Sequence, residues 1–136
     1  MTPETGFEEI EHTADWALHV WAPDMATLLE TAAKGMNHLT DLKLARKRMM
    51  VRDVVLEGVD RESLLVNFLN ELLYYAEVDN TGFDHFEIHL EGLLLTAAIS
   101  GAEILSRKKE IKAVTYHNLE VRETERGLEV EIVFDV

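Results

Sequence analysis

Leu128-Glu129-Val130-Glu131-Ile132-Val133-Phe134-Asp135-Val136 alternates apolar and polar residues almost to its last position. Successive side chains of a strand point to opposite faces. Leu128, Val130, Ile132 and Phe134 therefore share one face, and Glu129, Glu131, Val133 and Asp135 share the other. A half-buried strand is predicted here, with Asp135 projecting away from the apolar row. Such a strand needs neighbours. Glu125-Arg126-Gly127 predicts a turn leading into it, and Lys112 to Val121 predicts a long strand before that turn.

The rest of the chain supplies further strands and two helices. Phe7 to Glu11 and Trp16 to Ala22 read as strands, joined by an irregular crossing at His12-Thr13-Ala14-Asp15. Asp24 is placed to cap a helix whose apolar stripe is Met25, Leu28, Leu29, Ala32, Met36 and Leu39. Gly35 lowers helix propensity, which predicts a tight packing contact there. Asp41 to Lys47 reads as a polar connection and Met50 to Glu57 as a strand ending at Gly58. Asp60 caps a second helix with the stripe Leu64, Leu65, Phe68, Leu69, Leu72 and Ala76. Asp79-Asn80-Thr81-Gly82 reads as a turn. Strand-like segments follow on either side of Gly92, the second from Leu93 to Ser100, and a charged turn is expected within Gly101 to Glu110. The sum is two helices and six or seven strands. That order predicts an α+β fold, one domain over residues 1–136, with a mostly antiparallel sheet on which both helices pack.

Composition narrows the function. A chain of 136 residues with no cysteine can have neither disulfides nor zinc-thiolate sites. It has no apolar run long enough to span a bilayer and no signal-peptide start, so a cytoplasmic protein is expected. The formal net charge of -13 opposes strong direct binding of nucleic acid, because phosphate contacts need positive surface. Arg46-Lys47-Arg48 and Arg107-Lys108-Lys109 are short basic clusters, read first as solvated loop charge. No Gly-x-Ser-x-Gly elbow, catalytic cysteine, phosphate loop or dinucleotide fingerprint is present. His85, Glu87 and His89 fall on one face of a strand and read as a surface stripe. His12 and His117 stand beside strand-end polar residues, where an imidazole commonly satisfies backbone groups. Asp135 and the terminal carboxylate of Val136 place two anions at one spot. Together with Asp15 they form an oxygen-donor set suited to a hard cation such as Ca²⁺ or Mg²⁺. The plainer alternative is a chain that ends where its last strand ends.

Glu11-His12-Thr13-Ala14-Asp15, Lys112-Ala113-Val114-Thr115-Tyr116-His117, Asn67-Phe68-Leu69-Asn70-Glu71-Leu72-Leu73-Tyr74 and the closing Phe134-Asp135-Val136 together resemble the archease family, in order and over essentially the whole chain. The resemblance implies an accessory protein with no catalytic side chain of its own. Its partner would be a GTP-dependent RNA ligase that joins 3′-phosphate or 2′,3′-cyclic phosphate ends to 5′-hydroxyl ends in tRNA splicing or RNA repair. The accessory protein would promote guanylylation and repeated turnover of that ligase, and GTP would be used by the ligase alone. The resemblance also implies a divalent metal, calcium foremost, held by Asp15 and Asp135 with Val136 as a further ligand. His12, Lys112 and His117 would support the site or touch the partner. It leaves a second expectation, a chaperone-like module acting on a tRNA-modifying enzyme such as a tRNA methyltransferase. Apart from the resemblance, the residues alone leave a remoter alternative, a metal-dependent hydrolase in which Asp15 and Asp135 hold a reactive water. Trp16-Ala17, and a loop at 106–110 without histidine, depart from the family pattern.

Overall fold

Two antiparallel sheets share one apolar core with two helices in the computed structural model, which describes residues 4–10, 16–46 and 49–136. The elements run β1 (Gly6–Ile10), β2 (Trp16–Ala22), α1 (Met25–Leu39), β3 (Lys43–Leu44), β4 (Met50–Glu57), α2 (Arg61–Asp79), β5 (Thr81–Glu91), β6 (Leu94–Ser106), β7 (Ala113–Val114), β8 (Arg122–Thr124) and β9 (Gly127–Asp135). The first sheet has the order β1-β2-β9-β7, with β8 also paired to β9. In the second, β6 pairs with β3, β4 and β5. The expected α+β architecture is what the chain adopts.

Each helix starts where its cap stands. The Thr27 amide donates to Asp24 Oδ1 at 2.8 Å, opening α1. Asp60 and Ser63 satisfy each other's backbone amides in a capping box that opens α2. Loss of such a cap typically costs about 1 kcal/mol. Gly35 marks a close approach, as expected: a Cβ there would lie 2.5 Å from Leu18 Cδ2 and 3.0 Å from the Phe7 ring. Its absence lets α1 lie flat on β1 and β2. Leu18, Val20, Leu28, Leu64, Phe68, Ile99, Ile132 and Phe134 are sealed from solvent within the common core.

Several boundaries differ from expectation. The predicted turn at Asp79-Asn80-Thr81-Gly82 shrinks to one residue. Asn80 adopts φ 51, donates its amide to the Tyr75 carbonyl, and β5 begins at Thr81. Asp41 to Lys47 is not wholly a connection, because Lys43–Leu44 pairs with β6. The strand expected to end at Ser100 continues through Gly101 to Ser106, and the charged turn follows it. Within it, β5 and β6 approach so closely that a Cβ on Gly101 would lie 1.8 Å from the Gly82 carbonyl oxygen. The glycine serves strand contact, not chain reversal. Finally, the long strand expected over Lys112 to Val121 is reduced to Ala113–Val114.

Candidate metal and partner-binding end of the first sheet

β9 lies between β2 on one side and β7 and β8 on the other. Its last residues therefore have neighbours on both flanks. Phe134 faces Trp16, the first residue of β2, and Asp135 faces Ala113. The Lys112 amide donates to the Asp135 carbonyl at 2.8 Å. Asp135 is exposed at the strand end, and Phe134 beside it is fully buried. The apolar residue fixes the strand in the core and the acid projects on the opposite face, as the alternation predicts.

The residues after β7 leave the sheet for identifiable reasons. The backbone and hydroxyl of Thr115 both donate to the Val133 carbonyl, each at 3.0 Å. The same hydroxyl oxygen accepts from the His117 amide at 3.3 Å. Asn118 adopts φ 51, and Leu119 donates to the Tyr116 carbonyl. This loop is carried by α2. Asn70 Oδ1 accepts the Val114 amide at 3.0 Å, and Glu62 Oε2 accepts the Val121 amide at 2.7 Å. Both side chains are positioning residues that the sequence reading passed over. Asn70 lies within the segment Asn67 to Tyr74 that resembles the family, but its partner 44 positions away is set by tertiary packing alone.

His117 is exposed and its ring Nε2 lies 3.3 Å from Asn118 Nδ2. Lys112 is also exposed. Lys109 Nζ stands 5.8 Å from the centre of the Trp16 ring, so part of the second basic cluster lies beside this sheet end. His12 and Asp15 fall outside the described residues. Trp16, the sequence neighbour of Asp15, pairs directly with Phe134, the sequence neighbour of Asp135. Among the described residues no three His, Asp or Glu side chains are grouped to hold a metal ion. Among them, too, the Asp135 carboxylate has no ion-pair partner.

No helix among the described residues is long and apolar enough to cross a membrane. Residues 7–136 match the family model of the Archease protein family. Proteins named archease from Methanopyrus kandleri and Methanosarcina mazei are 35% and 34% identical to this chain. Each alignment covers 96% of this chain, with 99% of the first protein and 95% of the second. A crystal structure of an archease and possible chaperone from Thermotoga maritima superposes with a TM-score of 0.72 at 24% identity, covering 95% of this chain and 96% of that one. The solution structure of Methanobacterium thermoautotrophicum protein 1598 gives a TM-score of 0.69 at 24% identity, covering 96% and 99%.

Proposed function

The chain belongs to the archease protein family, and from that premise we propose that it activates a GTP-dependent RNA ligase through a metal-binding sheet end. Asp15, Asp135 and, in a chain ending at Val136, the terminal carboxylate are the ligands of this reading. All are oxygen donors, which favours Ca²⁺ or Mg²⁺. When bound, the cation would present positive charge at the tip of an acidic protein. Lys112 and His117 would line the same tip, and Asn70 and Glu62 would hold their loop in place.

The observation that carries the proposal is the register at the end of β9, where Trp16 pairs with Phe134 and Lys112 bonds to Asp135. It supports convergence of the quoted motifs, although most of the chain separates the first from the last. The charge of -13 agrees with a partner that supplies the RNA contacts, since those need lysine and arginine. A helper shifts its partner only by binding one of its states more tightly. The reactive-state ligase is the state this tip would favour.

Single-turnover guanylylation of the ligase tests this directly. The wild-type chain is expected to accelerate the step, and Asp135→Asn to lose most of that acceleration at saturating protein. Calorimetric titration with Ca²⁺ should show weaker binding for the same variant. Equal stimulation by both proteins would remove the metal site from the mechanism. A second reading, a chaperone-like module for a tRNA-modifying enzyme such as a tRNA methyltransferase, draws on the description of the Thermotoga maritima relative as a possible chaperone.

A further inference from the structure

The second sheet packs its inner face on the helices and leaves its outer face open. Twelve residues form that face in four cross-strand rows: Val51, Ser100 and His85; Asp53, Ala98 and Glu87; Val55, Thr96 and His89; Glu57, Leu94 and Glu91. None is buried, and Val51 and Val55 are 60% and 67% exposed. None of the twelve is lysine or arginine. Asp53, Glu57, Glu87 and Glu91 make no ion pair among the described residues. Arg52, the basic residue of β4, is committed elsewhere, bonded to Asp79 at 3.0 Å and stacked over Tyr75.

The face has a shape as well as a charge. Its central strand, β6, presents small residues in three of four rows, and β4 and β5 raise bulkier side chains on both sides. The two flanking rows stand about 10 Å apart, twice the strand spacing. That width matches the diameter of an α-helix with its side chains, about 10–12 Å. The four rows run for about 20 Å, or roughly four helical turns. At the His85 end the trough opens into a hollow lined by Leu44, Arg46, Met49 and Asp84. Negative charge therefore dominates toward the Glu57 and Glu91 end.

We propose that this trough seats a basic amphipathic helix of a protein partner, with its apolar face on Val51, Val55 and Ala98 and its lysines or arginines against Asp53, Glu57, Glu87 and Glu91. The charge complementarity selects this occupant: carboxylates on both flanks, alternating with valines on β4 and histidines on β5, border a floor of Ser100, Ala98, Thr96 and Leu94, and an enzyme that handles RNA must carry basic surface. Identifying the partner with the RNA ligase rests on the function proposed above. The chemistry of the trough does not.

Two measurements test it. The first titrates the full-length chain with a synthetic helical peptide of about 16 residues, leucine and alanine on one face and lysine and arginine on both flanks, followed by amide chemical shifts. Shifts should map to residues 51–57, 85–91 and 94–100. Asp53→Lys with Glu87→Lys should weaken binding roughly tenfold, and Glu57→Lys with Glu91→Lys should repeat the loss on another row. Glu120→Lys with Glu125→Lys, the same charge change elsewhere, should change it less than twofold. Equal loss in all three double variants, a scrambled peptide binding as well, shifts centred on the end of β9, or a homodimer covering the trough in sedimentation would each overturn the proposal. The second measurement uses the ligase. Asp53→Lys with Glu87→Lys should raise the concentration giving half-maximal stimulation and leave the maximum intact, whereas Asp135→Asn lowers the maximum. If the wild-type chain fails to stimulate the ligase, the function proposal falls and the peptide map stands on its own.

Discussion

The outer faces of the two sheets are built from similar strands and are finished in opposite ways. On the first sheet, Trp21 lies against Gly6, where an added Cβ would come within 2.5 Å of the indole. The Arg126 guanidinium sits 4.5 Å above the same ring, and His19 meets it edge-on. His19 Nε2 lies 2.9 Å from Glu129, which also approaches Arg126. Ala17 and Val133 on this face are buried. Among the described residues the second sheet has no such covering, and its valines and carboxylates stay in solvent. A face closed by its own side chains contributes to stability. A face left open at similar size adds little to folding and is available for binding.

If that distinction holds, substitutions on the two faces should separate cleanly. Trp21→Ala removes a large, nearly buried ring and the stacking partner of Arg126. It should destabilise the protein by about 3 kcal/mol in urea unfolding. A loss below about 0.5 kcal/mol, the range of ordinary surface changes, would mean that the first face is not closed by this ring. Acid should give a smaller effect with a defined sign. A hydrogen bond from Thr124 is the main reason the Glu129 carboxyl titrates below the usual carboxylate range, with His19 and Arg126 acting in the same direction against partial burial. Its stabilisation is complete above the unfolded value, about pH 4.3, and is lost as pH falls through the lower folded value. Glu129→Gln should therefore flatten the acid limb of the stability profile. An unchanged slope would remove Glu129 from the folded-state network. The smallest effect is expected on the open face, where Val55→Thr should alter stability by no more than about 0.5 kcal/mol. A larger loss would show that the second face is structurally engaged after all.

Much of this arrangement was legible where local chemistry decides it. The caps at Asp24 and Asp60, the stripes of both helices, the packing role of Gly35 and the two faces of β9 follow from residue type and period. Segment 112–121 did not follow. Its Val114 and Val121 are buried, but they are seven residues apart and would fall on opposite faces of a strand; Thr115 bonds to Val133 and Asn118 turns the backbone left-handed. The apolar residues anchor a loop, and apolar content alone cannot tell an anchored loop from a strand. The end of β6 was misplaced at Ser100 for a different reason, since Gly101, where a strand pattern breaks, is the residue that lets β5 and β6 approach. At the candidate site, the exposure of Asp135 could be read from alternation. Its contact with Lys112 could not, because strand register is a property of the assembled sheet. Asp15 and His12 lie outside the described residues, so the ligand set stands as a proposal.

The two side-chain tethers from α2 to the segment after β6 have a mechanical consequence. Asn70 and Glu62 grip the Val114 and Val121 amides from a helix whose neighbouring residues also rest on β4 and β5. The helix is thus a support common to both sheets. Any displacement of the second sheet that carries α2 with it must pull on two points of the polypeptide leading to the acidic tip.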